Sequence, residues 1–192
     1  MHDLIGNFVL GYHGCDRQTA DSLLNGDAFK PSDNSYDWLG PGVYFWESNA
    51  VRALDFAREM LKRKRKPDSG AAVVGAVISP GFTLDLLSKA GQEAVLSAHR
   101  ELKKILDVSE FELPSNTPEP LLNYLDCAVI RHLHSVREIA EERPIQQVRG
   151  VFIEGRPLYE TSAFYSKTHI QLAVCDPACI KGVFRVRQSD LE

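Results

Sequence analysis

The sequence predicts an α+β fold, on three observations. Short runs rich in β-branched and aromatic residues lie near both ends of the chain, at 42–46 and 72–79 and again at 148–154, 169–175 and 180–186. Between them, residues 87–106 and 121–141 read as helices, the second with Leu122, Leu125, Val129, Leu133 and Val136 on one face. No internal repeat or low-complexity tract runs through the chain, which excludes a solenoid or propeller.

The elements follow in order. Residues 8–12 form a short strand that ends at His13. Asp16 caps a helix over about 17–24, with Ala20, Leu23 and Leu24 on its apolar face and Gly26 at its end. A polar loop with Pro, Ser, Asp and Asn leads to the strand 42–46. Ser48 is the expected cap of a longer helix reaching about residue 64, in which Val51, Leu54, Ala57, Met60 and Leu61 recur at helical spacing. That helix ends in Lys62, Arg63, Lys64, Arg65 and Lys66, cations suited to the negative end of the helix dipole. A turn at 67–70 precedes the strand 72–79. The two middle helices and the proline-interrupted linker 109–120 form a helical insertion over about 87–143. The whole of 1–192 is then one domain, closed by the strands 148–154, 169–175 and 180–186.

Composition sets limits on function. The 192 residues carry 44% hydrophobic and 25% charged side chains, ordinary values for a globular protein. A net charge of −4 gives no overall attraction to nucleic acid or anionic lipid, so such binding needs a local patch. Cys15, Cys127, Cys175 and Cys179 have neither zinc-site spacing nor the density of a disulfide scaffold. His132 and His134 are two apart, which does not place both on one helix face as metal ligation requires. Met1 to Ile5 lack the basic start and apolar run of a signal peptide, and no segment reaches the ~18 apolar residues of a membrane span. The expectation is a cytoplasmic protein with reduced thiols, no metal and no membrane contact.

Two motifs carry chemistry. One is Tyr12-His13-Gly14-Cys15, followed by Ala20, Leu23, Leu24 and Gly26. The other is Gly40-Pro41-Gly42-Val43-Tyr44-Phe45, with Tyr36 and Trp38 in the loop before it. In order, spacing and residue type, residues 8–57 resemble the poly(ADP-ribose) polymerase and diphtheria-toxin branch of the ADP-ribosyltransferases, and strands 148–186 resemble it in arrangement. The helical middle does not. The resemblance implies a split antiparallel sheet core and NAD as substrate. It implies that His13 bonds the adenosine ribose and that Gly14 offers its backbone to the nicotinamide amide, where a side chain would obstruct. Tyr44 would stack on the nicotinamide ring. Phe56 is the candidate for a second stacking aromatic, one residue further from Tyr44 than the family pattern.

The family also places a catalytic glutamate near the start of a late strand. Aligned by its Asp and apolar pattern, this chain has Gln171 there, making a His-Tyr-Gln variant. Glutamine keeps a hydrogen bond to a ribose hydroxyl and loses a charge worth about 4 kcal/mol at ~4 Å and an effective dielectric of ~20, roughly three orders of magnitude in rate. Glu160 on the preceding loop is the expected compensating acid, with Glu154 as the alternative. His169, two residues before Gln171, shares its strand face and is the expected proton acceptor.

These readings lead to mono-ADP-ribosyl transfer from NAD to a macromolecule, protein or nucleic acid, with residues 62–66 as a candidate contact for the latter. Chain elongation in the family depends on the glutamate that is replaced here. The alternatives are an NAD glycohydrolase and an inactive module that binds NAD or ADP-ribose. A small enzyme of this kind is compatible with a toxin, which would imply a neutralising partner protein.

Overall fold

The computed structural model describes residues 7–118 and 121–192. Met1 to Ile5, where a leader would begin, and the last two residues of the 109–120 linker lie outside the described residues. The chain order is β1 (Val9–Asp16), α1 (Arg17–Leu24), β2 (Val43–Glu47), α2 (Ala50–Arg63), β3 (Ala71–Ile78), β4 (Thr83–Asp85), α3 (Lys89–Val108), β5 (Thr117–Pro118), β6 (Leu121–Leu122), α4 (Tyr124–Ile139), β7 (Gln147–Phe152), β8 (His169–Val174) and β9 (Ile180–Arg185). The α+β class is as expected. Seven strands form a mixed sheet in the order β4-β7-β8-β2-β1-β3-β9, and β5 and β6 make a separate hairpin. Every pairing in the large sheet is antiparallel except β4 with β7. Parallel strands need a crossover, and the two middle helices supply it: the insertion is the β4–α3–α4–β7 connection.

Strand alternation sorts the core onto two faces. On the first, Val43, Phe45, Ala76, Ile78, Leu172 and Val174 pack together, and α1 covers Cys15 and Val74 through Ala20 and Leu23. On the second, Val148 and Ala173 pack with Leu39, Leu84 and Ile130 beneath α3 and α4. Further along that face, α2 lays Ala53 and Leu54 over Trp46 and Val73. The approach of α2 to β1 is close: a Cβ on Gly14 would lie 2.0 Å from the Ala53 carbonyl oxygen.

Three local readings change. β1 continues to Asp16, so His13 lies inside the strand, held by β3 in unbroken register from Val9↔Ile78 to Asp16↔Ala71. Asp16 does cap α1, accepting from the Thr19 amide at 2.9 Å. The cap of α2 is Asn49, whose side chain accepts from the Arg52 amide at 2.9 Å, and not Ser48. Ser48 instead extends the β1–β2 ladder by one bond, donating its amide to the Leu10 carbonyl at 2.9 Å, and turns the chain with φ of 51°. β4, β5 and β6 were not foreseen because two or three residues are too few to show a period.

One break in the sheet positions the candidate site. β1 and β2 pair only at Gly11↔Glu47 and Tyr12↔Trp46. Beyond them β1 stays with β3 and β2 stays with β8, from Trp46↔Gln171 to Val43↔Val174. The facing edges of β1 and β2 therefore part after Tyr12.

Candidate functional site

The opening between β1 and β2 brings the two N-terminal motifs together. Extending the register of the two paired positions sets Gly14 opposite Tyr44. The Leu10 carbonyl points to the β2 side, where it accepts from Ser48. By the two-residue alternation of a strand, the N–H and C=O of Gly14 point the same way, into the opening. His13 spans the gap: its Nδ1 lies 2.9 Å from the Tyr44 carbonyl oxygen, a bond the ring makes as donor. That fixes the tautomer and leaves Nε2 as the acceptor. Burial lowers the His13 pKa against the raising effect of that bond, so the ring is neutral at pH 7. The ring points to the first face, beside Phe29 (5.4 Å) and Phe45 (5.7 Å), and lines a cavity of about 260 Å³ with Gln18, Thr19, Ser22 and Lys30.

Tyr44 points to the opposite face. Its hydroxyl donates to the Gly40 carbonyl at 2.8 Å and accepts from the Leu39 amide at 3.1 Å. Burial, with the nearby Asp37 charge, raises the phenol pKa, so Tyr44 is an uncharged, anchored ring. Both residues thus serve the opening from opposite faces of the sheet.

Gln171 sits on the second face, across from Trp46 on β2 and Gly150 on β7. Trp38 Nε1 donates to its Oε1 at 2.7 Å. An indole nitrogen only donates, so the amide orientation is settled and the Gln171 NH₂ is the end left to offer. Gly150 makes room for this contact, since a Cβ there would come within 2.8 Å of the Trp38 ring. Aromatic rings surround the glutamine: Trp38 on Phe152 (4.9 Å), Phe152 on His169 (5.5 Å), His169 on Trp46 (6.1 Å) and Trp46 on Phe56 (4.7 Å).

A charged network borders the rings. Buried Arg52 on α2 reaches Glu154 at 2.8 Å and stands 3.7 Å from Glu59, which also binds Lys167 at 2.8 Å. Burial would raise the Glu59 pKa, but the Lys167 bond and the Arg52 charge outweigh it and hold it low. His169 Nδ1 lies 2.6 Å from the Lys167 carbonyl and donates to it. Burial, joined by the Arg52 charge, lowers the His169 pKa against that bond and the Glu154 charge, so it too is neutral. Four buried polar atoms here find no hydrogen-bond partner among the described residues: Trp46 Nε1, Arg52 Nε and Nη1, and His169 Nε2. Each buried group left unpaired costs about 1–3 kcal/mol, and all four belong to side chains that border Gln171 or its ring of aromatics.

The expected residues therefore divide. Gln171, His169 and Phe56 are brought into one cluster, and Gly14 and Tyr44 face one another across the neighbouring opening. His13 reaches that opening from the far face. Glu160 stands exposed on the loop and makes no hydrogen bond or ion pair among the described residues; Glu154 is the acid beside His169. Trp46, Arg52 and Phe152 were missed. Arg52 could have been found from its position four before Phe56, on the same helix side, and Trp46 from its alternation with Tyr44. Among the described residues no three His, Cys, Asp or Glu side chains are placed to hold a metal, and no helix is long and apolar enough to cross a membrane.

No family model matches the chain, and no solved structure matches it. Among curated proteins it is similar to an uncharacterized protein of Methanocaldococcus jannaschii, 22% identical over 188 residues covering 88% of this chain and 83% of that one.

Proposed function

We propose that the chain is an NAD-dependent mono-ADP-ribosyltransferase of His-Tyr-Gln type, with an ADP-ribosyltransferase-like split of its sheet. The observation that carries this is the parting of β1 from β2 after Tyr12, with Gly14 and Tyr44 facing across the gap and Gln171 one strand further on. The chemistry of the residues suits the substrate. A free strand edge at Gly14 matches a planar carboxamide, aromatic faces suit a cationic pyridinium, and the Arg52 Nε, which makes no hydrogen bond among the described residues, suits a hydroxylated group.

In this reading the bond between the nicotinamide nitrogen and ribose C1 breaks, its electron pair leaves with nicotinamide, and the acceptor nucleophile bonds to C1. The Gln171 NH₂ orients a ribose hydroxyl. Neutral His169, with Nδ1–H held by the Lys167 carbonyl, has Nε2 free to take the proton from the nucleophile. Glu154, not Glu160, is the acid near enough to steady developing positive charge, although Arg52 shares it. The acceptor is a protein or a nucleic acid, and a cytoplasmic setting is part of the proposal, as is a neutralising partner should the enzyme act as a toxin.

The second reading is binding of NAD or ADP-ribose without turnover. Its support is specific: Trp38 occupies the Gln171 oxygen, so the group presented at the glutamate position is a neutral donor. Incubation with labelled NAD separates the readings. Nicotinamide release with label on protein or nucleic acid supports transfer, and release with free ADP-ribose alone supports an NAD glycohydrolase. Binding without release supports the inactive module, and no binding refutes all three.

A further inference from the structure

Helix α2 presents two flanks. Arg52, Phe56 and Glu59 border the cluster around Gln171. Leu54 and Arg58 are each two residues further on, about 200° around the helix, and overhang a cavity of about 410 Å³ between α1, α2, β3 and β9. Three arginines from three elements line it: Arg17 from α1, Arg58 from α2 and Arg185 from β9. Asp21 and Asp68 are also on its wall, and the floor is apolar, with Leu24, Leu54, Val73 and Val186. Arg58 stands 3.5 Å from Asp55 in an exposed pair of small worth. Arg17 and Arg185 are exposed and make no hydrogen bond or ion pair among the described residues.

The cavity opens onto a second cationic feature. Lys62, Arg63, Lys64, Arg65 and Lys66 are all exposed and lie in sequence between lining residues, Arg58 on one side and Asp68 and Ser69 on the other. The charges of Lys64 and Lys66 help depress the Asp16 carboxyl, after the Thr19 bonds that dominate the shift, so the run lies towards the start of α1 beside Arg17. In a chain of net charge −4, this concentration of cations is local.

We propose that the cavity and the adjoining run dock the phosphodiester backbone of a single nucleic-acid strand. The arginines of the cavity take two adjacent phosphates and residues 62–66 track those that follow. Guanidinium forks match phosphate oxygens in pairs, and the apolar floor gives the attached sugar a surface to lie on. The run extends the site beyond the reach of one small anion, which favours a polymer. Docking is measured without NAD and stands apart from the NAD reading; where both hold, the docked strand is the acceptor class.

The test is fluorescence anisotropy with labelled single strands of RNA and of DNA about 20 nucleotides long, between about 50 and 200 mM salt. Arg17→Ala/Arg185→Ala is expected to weaken binding about tenfold or more and to flatten the salt slope by about 1.4, two phosphate contacts on a single strand. Lys64→Ser/Lys66→Ser is expected to flatten it similarly. Arg17→Lys/Arg185→Lys keeps charge and fold, and should retain the slope while losing part of the affinity. Thermal melting of each variant confirms that it is folded. Unchanged affinity in the Arg17→Ala/Arg185→Ala protein overturns the proposal. So does competition by inorganic phosphate or a mononucleotide at the concentration, per phosphate, at which the strand itself competes.

Discussion

Replacing Gln171 by glutamate probes the candidate site most directly. The two side chains share a shape, so one oxygen of Gln171→Glu keeps the 2.7 Å bond from Trp38 Nε1. The other oxygen replaces the NH₂ end and presents a charge. At ~4 Å from a developing cation and an effective dielectric of ~20, that charge is worth about 4 kcal/mol. Gln171 is only half-buried, so screening halves this to about 2 kcal/mol, an increase near 30-fold in the chemical step. The assay is nicotinamide release from NAD under single-turnover conditions, with NAD affinity and melting temperature measured on the same protein. Release at or below the parent rate, in a folded variant that binds NAD as well as the parent, would refute the placement of Gln171 beside ribose C1. Loss of activity together with loss of NAD binding would show that the amide donor itself holds the ligand.

The geometry sets four further outcomes. Tyr44→Ala should abolish nicotinamide release, whereas Tyr44→Phe loses only the Gly40 and Leu39 bonds, about 1 kcal/mol of stability in urea unfolding, and keeps release; equal release by Tyr44→Ala and the parent would remove Tyr44 from the site. Gly14→Ala must push α2 off β1, because the Ala53 carbonyl is backbone and cannot swing aside, and should cost about 3 kcal/mol or prevent folding. Arg52→Leu strands Glu154 and Glu59 without their buried partner and should destabilise by about 3 kcal/mol, with Arg52→Leu/Glu154→Gln recovering part of it in a double-mutant cycle. His13, His134 and His169 all have pKa values lowered chiefly by burial. The unfolded chain binds their protons first, so stability is full above the ordinary value near 6.5 and falls as the pH drops below it, by up to about 1.4 kcal/mol per pH unit for each; denaturation curves that coincide at pH 7.5 and 5.5 would contradict the buried, neutral assignment.

Much of the scaffold was legible from local signals. The helix over 17–24 and its Asp16 cap, the strand at 169–175 and the long middle helices follow from capping chemistry and from apolar period, which neighbouring residues record. His13, Gly14 and Tyr44 were singled out by the resemblance of their two motifs, in order and spacing, to a known family, and not by composition or periodicity. What sequence could not give is which strands stay paired. Gln171 faces Trp38 across 133 positions and Arg52 reaches Glu154 across 102, and neither separation leaves a mark in composition or spacing. The two candidate acids differ for the same reason: closeness along the chain ranks Glu160 with Glu154, while the fold leaves the first carboxylate in solvent and ties the second to a buried guanidinium. The sequence by itself determined the elements and the kinds of side chain available to a site. The tertiary structure alone decided that β1 parts from β2 after Tyr12, because beyond that point β1 pairs with β3 alone and β2 with β8 alone, and β8 is a partner more than a hundred residues away along the chain.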